Sequence, residues 1–267
     1  EILTIMEGFL KKTFKETIGV DIKTPLRRMD YCEAVDKYGS DKPDTRFDLF
    51  INDVKDIFIN TTFNGFKEAE AIRALVIPGV ASVTSRKVID NLTLEAKKFG
   101  LGGISVLKME GEELTGSFMK FLSEEEVKLL KTRLNLKNDD LLLIAAGNKT
   151  RVLPCLGAMR SSYAHELGLI KPNTYDLLWV VDFPLFEKTD TGYTSSHHPF
   201  TRPRDEDLKY LDTEPSKILS YAYDIVINGY EAGGGSLRIY DQNVQHKIFE
   251  VLGLSDDDIK NKFGFFI

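Results

Sequence analysis

Residues 222–239 read AYDIVINGYEAGGGSLRI, and this stretch decides the fold class. Apolar and polar residues alternate from Tyr221 to Asn228, which is typical of a strand with one buried face. The apolar set lies on one side and the more polar set on the other: Tyr223, Ile225 and Ile227 against Asp224, Val226 and Asn228. The alternation predicts a sheet in this part of the chain.

The glycine-rich half of the stretch is expected to behave differently. Gly233-Gly234-Gly235 is predicted to break the first strand. A second strand is predicted from Ser236 to Tyr240, with Arg238 on one of its faces. The residues of this region that can carry chemistry are therefore Asp224, Glu231 and Arg238.

These three residues form the strongest candidate site, on an open antiparallel sheet face. Mg²⁺ prefers one or two carboxylates together with phosphate oxygens, and arginine binds a carboxylate through two parallel hydrogen bonds. Asp224 and Glu231 are seven residues apart, which puts them on opposite faces of a regular strand. A bulge or bend near Asn228-Gly229 is therefore required. The alternative is a glycine hairpin with solvated charges at its rim.

Three further segments carry polar residues that could belong to a site. In His197-His198-Pro199-Phe200, one imidazole could position a carboxylate, but one satisfied and one exposed histidine would give the same pattern. Asp182-Phe183-Pro184 is interpreted as a turn that ends a buried strand. The loop Gly39–Arg46 contains two aspartates, a lysine and an arginine, and its charges are expected to be solvated.

The composition is that of a globular protein. Of the 267 residues, 42% are hydrophobic and 28% charged, which is enough for a sizeable core, and the net charge of -6 argues against a general polyanion-binding protein. Cys32 and Cys155 are not in a CxxC pair, so neither a zinc site nor a disulfide framework is predicted, in agreement with a reducing cytoplasm. No apolar run is long enough for a membrane span. Phosphate-loop, Rossmann, serine-hydrolase and zincin motifs are missing.

The order of predicted elements indicates one domain interrupted by another. Residues 2–17 have the spacing of an amphipathic helix. From 47 to 174, strands and helices alternate as in an α/β module, with a capping box at Ser123 and with Pro154 expected in the first turn of a helix. Residues 1–46 and 175–267 are therefore assigned to one discontinuous domain and residues 47–174 to an insert.

Four segments of the chain resemble one family. In chain order they are YGSDKPDTR (38–46), WVVDFPLF (179–186), HHPFT (197–201) and the stretch 222–239. Together they resemble bacterial aspartyl-tRNA synthetases, which are class II aminoacyl-tRNA synthetases. The segments at Pro78-Gly79, Ser85-Arg86-Lys87 and Lys120-Phe121-Leu122-Ser123 resemble the GAD domain that is inserted in these enzymes and shared with a subunit of tRNA-dependent amidotransferases.

The resemblance implies an α+β fold. Residues 1–46 and 175–267 would form a partial class II synthetase catalytic domain, an antiparallel sheet with helices, and residues 47–174 the inserted α/β GAD domain. It also implies ATP-dependent activation of L-aspartate and its transfer to tRNA(Asp), by a cytoplasmic homodimer without a membrane segment. Whether tRNA(Asn) is charged as well is left open.

The same resemblance gives the candidate residues roles. Arg238 would bind the side-chain carboxylate of aspartate and so exclude the neutral asparagine, and His197 would contact the same substrate. Glu231 would bind ATP and Mg²⁺, with Asp224 as a second metal carboxylate. Glu231 and Arg238 are the predicted catalytic residues, His198 receives no role, and the supporting loop is Gly233, Gly234 and Gly235.

Both ends of the chain depart from the family pattern. The first residue, Glu1, and the apolar finish Phe265-Phe266-Ile267 suggest a piece of a longer protein, and Gly264-Phe265-Phe266 resembles the approach to motif 3. The anticodon-binding domain and motifs 1, 2 and 3 are missing from the sequence, so this piece is expected to be inactive alone. Two alternatives remain: a GAD-type module that binds tRNA or protein without catalysis, and a class II synthetase for asparagine or lysine.

Overall fold

The computed structural model describes residues 1–264, apart from the side chain of Asp256. Most of the Gly264-Phe265-Phe266 segment therefore lies outside the described residues. The chain forms two compact units, one of Glu1–Cys32 with the chain from Leu177 onward, and one of Glu33–Asp176. Each unit has a sheet and a core of its own.

The helices and strands are numbered along the chain. The helices are α1 Ile2–Ile18, α2 Tyr31–Tyr38, α3 Asn64–Lys67, α4 Arg86–Lys98, α5 Glu124–Arg133, α6 Lys149–Glu166, α7 Gln242–Val251 and α8 Asp256–Phe263. The strands are β1 Arg27–Asp30, β2 Ile51–Asp53, β3 Ala71–Ile77, β4 Ser105–Glu110, β5 Glu113–Thr115, β6 Leu141–Gly147, β7 Leu177–Val181, β8 Phe186–Thr189, β9 Gly192–Ser195, β10 Ala222–Ile227 and β11 Tyr230–Ser236. Within residues 1–264, no helix combines the length and the apolar character needed to cross a membrane.

The first unit contains a four-stranded sheet in the order β1-β7-β10-β11. The pairs β7–β10 and β10–β11 are antiparallel, and β1 joins the edge parallel to β7. Trp179 of β7 lies opposite Ile225 of β10. The predicted antiparallel sheet is therefore present, with one parallel strand at its edge.

Helix α1 covers the apolar face of this sheet. Ile225 and Trp179 are buried in one cluster, against which Leu10 and Phe14 of the helix pack. The indole Nε1 of Trp179 donates a 3.1 Å hydrogen bond to the carboxylate of Glu7, which α1 buries. Because a buried polar group needs a partner, this bond helps to fix the rotation of the helix on the sheet.

The second unit contains a five-stranded sheet in the order β2-β3-β6-β4-β5, in which every pairing is antiparallel. Its central strands β3 and β6 are almost continuously apolar because both of their faces are covered. Leu75 and Leu143 lie in the core that includes α4 and α6, and Ala74 and Ile144 lie in the core that includes α5. The predicted alternation of strands and helices is therefore present, as helices on both faces of an antiparallel sheet.

A buried arginine ties the start of the second unit to α6. Arg160 donates to the backbone oxygens of Asp44 at 2.8 Å, of Phe47 at 3.2 Å, and of Leu49. Its guanidinium carbon lies 4.0 Å from the centre of the Phe47 ring and 4.9 Å from that of Tyr38. Burial lowers the pKa of Arg160 to about 10, so the side chain keeps its charge at neutral pH.

The charged loop Gly39–Arg46 belongs to this second unit, and two of its charges are shielded from water. Arg46 Nε and Nη2 donate to the carboxylate of Asp44 at 2.9 and 2.6 Å, and the two side chains are only 16% and 13% exposed. Burial would raise the pKa of Asp44, but the hydrogen bonds from Arg46 outweigh it and lower that pKa. The prediction of a solvated loop is wrong for this pair, because its i to i+2 spacing lets the two charges satisfy each other.

The place of Pro154 in α6 also differs from the prediction. The helix begins at Lys149 under an Asn148 cap, so Pro154 is its sixth residue and lies beyond the first turn. A proline removes the hydrogen bond to the carbonyl four residues earlier, here that of Thr150. Thr150 is an exposed residue near the helix start, and water can replace the missing bond there.

The boundaries of the two units lie close to those of the predicted domains. One falls inside α2, between Cys32 and Glu33, and the other between Asp176 and Leu177. Residues 47–174, the predicted insert, lie wholly within the second unit, which also contains the Gly39–Arg46 loop. The assignment of the two units to a catalytic domain and a GAD domain stays a prediction.

Candidate functional site

Strands β10 and β11 form a hairpin that holds Asp224 and Glu231 on facing strands. Its turn residues, Asn228 and Gly229, both have positive φ, 53° and 86°, as in the two-residue turns that match the twist of paired strands. The predicted break at Gly233–Gly235 is wrong, because these glycines continue β11 to Ser236. An Asn-Gly pair between two β segments was the sequence signal for this hairpin.

The hairpin accounts for the odd spacing of the two carboxylates. Asp224 lies opposite Gly234, and Val226 lies opposite Glu231. Directly opposed residues share a face, as do residues two apart on one strand, so Asp224 and Glu231 lie on the same face. The register also shifts between Ile225 and Val226, where a bulge skips one residue of β11. The structure therefore has the turn at Asn228-Gly229 and, in addition, a bulge that the sequence did not locate.

The three glycines of β11 are not equivalent. A Cβ at Gly234 would lie 2.1 Å from Asp224 Oδ1, whereas a Cβ at Gly233 would meet nothing closer than Ile225 Cγ2 at 3.7 Å. A Cβ at Gly235 would lie 2.8 Å from the hydroxyl of Tyr223. Gly234 therefore makes room for the carboxylate of Asp224, which is only 8% exposed.

Arg238 lies beyond the hairpin in extended chain. The strand predicted from Ser236 to Tyr240 is wrong, because β11 ends at Ser236 and Arg238 forms only an isolated antiparallel bridge with Thr201. That bridge brings the HHPFT segment beside the end of the hairpin. Arg202 N–H donates to the Leu237 carbonyl at 2.9 Å and strengthens the same pairing.

The guanidinium of Arg238 is held at the end of the face that carries the two carboxylates. Its Nη1 lies 3.0 Å from Ser236 Oγ. Ser236 is two residues beyond Gly234 on β11, so its side chain shares the face of Asp224 and Glu231. The structure thus brings the three predicted site residues to one side of one hairpin.

His198 is the histidine that meets Arg238, through a contact between its Nε2 and Arg238 Nη1. The Phe200 N–H donates to His198 Nδ1 at 3.2 Å. Burial, and then the charge of Arg238, lower the pKa of His198, so the ring is neutral at pH 7. His197 is exposed and packs edge-on against Phe183, with ring centres 4.8 Å apart.

Aromatic residues near the end of the chain support the HHPFT segment. Phe200 meets Phe249 and Phe263 edge-on, with ring centres 6.2 and 5.2 Å apart, and Phe249 stacks on Phe263 at 5.5 Å. Gln245 of α7 donates to the Pro199 carbonyl at 2.9 Å. This supporting role could not be predicted from the sequence, because aromatic residues at helical spacing indicate only a packed core.

Arg204 is a second arginine of this unit that the sequence did not single out. It pairs with Asp182, and its guanidinium carbon lies 4.6 Å from the centre of the Tyr221 ring. Burial would lower the pKa of Arg204, but the hydrogen bond to Asp182 outweighs it and raises that pKa. Asp182 has a φ of 57° directly after β7, which agrees with the predicted turn, and its charge is neutralised by Arg204.

A family comparison covers the hairpin, the HHPFT segment and the rest of the chain. The family described as tRNA synthetases class II (D, K and N) matches residues 1–267. The chain belongs to this class II family. The family membership inferred from four short segments is thereby confirmed.

Known class II relatives are similar along the entire chain. The aspartate–tRNA ligases of Ruminiclostridium cellulolyticum and Oceanobacillus iheyensis are 42% and 44% identical to it over 274 residues. The aspartate–tRNA(Asp/Asn) ligase of Bacillus cytotoxicus is 42% identical over 273 residues. Each comparison covers 100% of this chain and 46% of the relative. The chain therefore spans about half the length of the curated relatives it matches.

The carboxylates on the hairpin face have the ligand chemistry that a magnesium site requires. Within residues 1–264, no three His, Cys, Asp or Glu side chains cluster as a metal site. The hairpin face supplies two carboxylates, and Gly234 leaves the space that Asp224 occupies. Two carboxylates, with phosphate oxygens completing the shell, suit Mg²⁺. These residues are therefore better suited to Mg²⁺ that is bound to a nucleotide than to a metal ion held by protein ligands alone.

Proposed function

We propose that this chain is the part of an aspartate–tRNA ligase that recognises aspartate and helps to bind ATP. The observation that carries the proposal is the placement of the Arg238 guanidinium at the end of the hairpin face that bears Asp224 and Glu231. The choice of aspartate is supported by the relatives, which carry the name aspartate–tRNA ligase or aspartate–tRNA(Asp/Asn) ligase.

In this proposal Arg238 binds the side-chain carboxylate of L-aspartate. The His198 ring contacts the guanidinium and so helps to hold it at the end of the hairpin face, where its N–H groups can meet a carboxylate. A carboxylate accepts two parallel hydrogen bonds from the guanidinium, whereas the amide of asparagine would place an NH₂ group against one of these donors. Selectivity follows because the mismatched complex leaves an Arg238 donor without an acceptor. His197 stays the predicted second contact with the substrate.

Glu231 and Asp224 would hold Mg²⁺ against the phosphates of ATP. The ion would neutralise charge while the α-carboxylate of aspartate attacks the α-phosphorus and pyrophosphate leaves. Asp224, packed over Gly234, has a fixed position, while Glu231 is exposed and can adjust to the nucleotide. Glu231 and Arg238 are therefore the proposed catalytic residues, with Gly233, Gly234 and Gly235 as the supporting segment.

The proposal extends to the organisation of the whole protein. Residues 1–46 and 175–267 would be catalytic, and residues 47–174 would be the GAD insert. The acceptor would be tRNA(Asp), with tRNA(Asn) as a further candidate because one relative is named for both. We also propose that the whole protein is a homodimer. It would act in the cytoplasm, because charging of tRNA serves translation.

ATP–pyrophosphate exchange tests this proposal. Residues 1–267 would replace the matching segment of the Ruminiclostridium cellulolyticum relative, which is 42% identical. The chimera should exchange with aspartate and not with asparagine or lysine, and Arg238→Met should remove the exchange. A chimera that prefers asparagine or lysine, or that keeps its selectivity without Arg238, would overturn the assignment.

The 267-residue chain tested alone should show no exchange. It spans 46% of the length of the relatives that it matches, and the segments resembling motifs 1, 2 and 3 are missing from it. The chain would be purified through an affinity tag, so that the aspartate–tRNA ligase of the host is removed. Aspartate-dependent exchange by the purified chain would contradict the expectation.

A further inference from the structure

Binding of a carboxylate through two hydrogen bonds requires that the Arg238 guanidinium be held in one orientation. Such a pair forms only when two N–H groups of the planar fork meet the two oxygens together. Arg238 is exposed and lies beyond the end of β11, and a long side chain at such a position loses this order when nothing orients it. The selectivity proposed for Arg238 therefore depends on the residues that hold its guanidinium.

The backbone around Arg238 is fixed by the HHPFT segment. Besides the bridge between Thr201 and Arg238, the Ile239 N–H donates to the Phe200 carbonyl at 3.0 Å. These bonds act on the backbone and do not set the rotamers of the Arg238 side chain. The orientation of the guanidinium must therefore come from side-chain contacts.

Ser236 is suited to orient the guanidinium. It is the last residue of β11 and lies opposite Ala222 of β10, so the pairing of the sheet fixes its backbone. Its hydroxyl oxygen lies 3.0 Å from Arg238 Nη1 and accepts a hydrogen bond from it. Because the serine side chain is short and its backbone is paired, this bond holds Nη1 at a defined place.

The bond with Ser236 uses one nitrogen of the guanidinium and leaves the other two. The contacts with Ser236 and with the His198 ring are both made by Arg238 Nη1. Nε and Nη2 donate to no residue in the part of the chain that the structure describes. These two nitrogens lie side by side on one edge of the planar group, which can form two parallel hydrogen bonds with a carboxylate.

We propose that Ser236 is a positioning residue for the recognition of aspartate. Its hydroxyl holds Nη1 so that the Nε–Nη2 edge of Arg238 faces the side-chain carboxylate of L-aspartate. This inference rests on the proposed function, because it gives Ser236 a role only through Arg238. Ser236 therefore affects the binding of aspartate and not that of ATP, which is assigned to Glu231 and Asp224.

Ser236→Ala in the chimera tests the proposal by pyrophosphate exchange. The KM for aspartate should rise about three- to tenfold, as expected for the loss of one hydrogen bond, with kcat and the KM for ATP unchanged. Ser236→Thr keeps the hydroxyl on a residue that strands favour and should recover most of the loss. Ser105→Ala is the matched control, because Ser105 is a half-buried strand residue of the second unit; it should behave like the parent chimera.

The outcomes separate the role of Ser236 from the proposed function. An unchanged KM for aspartate in Ser236→Ala would reject the positioning role, and so would an equal rise in the KM for ATP, because the serine would then support the site as a whole. The proposed function fails instead if Arg238→Met keeps its selectivity for aspartate. If Arg238→Met removes exchange while Ser236→Ala has no effect, only the role of Ser236 is wrong.

A second measurement depends neither on catalysis nor on the folding of the chimera. In the 267-residue chain, ¹⁵N relaxation of the Arg238 Nε–H group reports the motion of the guanidinium on the picosecond to nanosecond timescale. Its order parameter should fall in Ser236→Ala and return in Ser236→Thr. The order parameter of Arg46 Nε–H, which is held by Asp44, should stay the same in all three chains. Equal order at Arg238 in the parent chain and in Ser236→Ala would contradict the proposal.

Discussion

Arg160 and Arg238 are two arginines in opposite surroundings, one in each unit. Arg160 is 1% exposed, and its hydrogen bonds go to backbone oxygens. Arg238 is exposed, and its Nη1 meets a serine hydroxyl and a histidine ring. A guanidinium enclosed by carbonyl oxygens has no N–H group left for a ligand, whereas an exposed guanidinium can still donate to an anion. The first belongs to the fold, and the second is suited to function.

Replacing Arg160 should give the largest change in stability. Arg160→Met removes the donors to the carbonyls of Asp44, Phe47 and Leu49. Since an unsatisfied buried acceptor costs about 1–3 kcal/mol, we expect the free energy of unfolding to fall by about 3 kcal/mol or more. A urea titration followed by circular dichroism measures it.

The matched substitution in the other unit is Arg238→Met. It should change the free energy of unfolding by less than about 0.5 kcal/mol, as is usual at exposed positions, while it removes the aspartate selectivity of the chimera. Equal losses of stability in the two variants would break the contrast between a structural and a functional arginine.

Gly157 should give the next largest change. A Cβ at Gly157 in α6 would lie 2.7 Å from the backbone oxygen of Gly39, so two backbones would have to move apart. Gly157→Ala should therefore destabilise the chain by about 1–3 kcal/mol, despite the better helix propensity of alanine. Gly8→Ala in α1 is the control, because nothing lies within 4 Å of a Cβ there, and it should stabilise by up to about 1 kcal/mol. Thermal unfolding of both variants would show whether the two changes have opposite signs.

A smaller effect on stability, but a larger one on activity, is expected at Gly234. Gly234→Ala must displace the Asp224 carboxylate, whereas Gly233→Ala meets only an ordinary contact with Ile225. In the chimera, Gly234→Ala should lower the free energy of unfolding by about 1 kcal/mol and abolish pyrophosphate exchange. Gly233→Ala should leave both nearly unchanged. Loss of exchange in both variants would show that the glycines are needed for the conformation of the strand and not for the space that Asp224 occupies.

Much of the fold could be predicted because local signals were unambiguous. The Ser123 capping box and the periodicity of residues 2–17 both correspond to observed helices. The errors came from residues whose conformation depends on their surroundings in the folded chain. Pro154 is tolerated inside α6, and the glycines of β11 continue a strand because β10 pairs with them. Pairing across a sheet is not encoded in the sequence of one strand.

The candidate site was predicted as a set of residues, but its geometry was not. Asp224 and Glu231 share one face of the hairpin because of the turn at Asn228-Gly229 and a bulge. Arg238 lies at the end of that face through its contact with Ser236. His198 was given no role, yet it contacts Arg238 through a backbone bridge between Thr201 and Arg238 that joins segments far apart in the chain. Only the tertiary pairing decides which of two adjacent histidines reaches the guanidinium.

The smallest expected effect is on the titration of His198. Burial and the charge of Arg238 lower its folded pKa below the ordinary value of 6.5, so the folded chain binds fewer protons than the unfolded chain at this site. This contribution to stability is present above pH 6.5 and is lost as the pH falls below it. Arg238→Met should raise the pKa of His198, but only part of the way, because burial is the larger cause and remains. NMR titration of the His198 ring protons measures this, with Arg86→Met as the control because Arg86 is an exposed residue of the other unit. If the pKa of His198 is the same in both variants, the guanidinium does not act on this ring, and the contact proposed to hold Arg238 in place for aspartate is not formed.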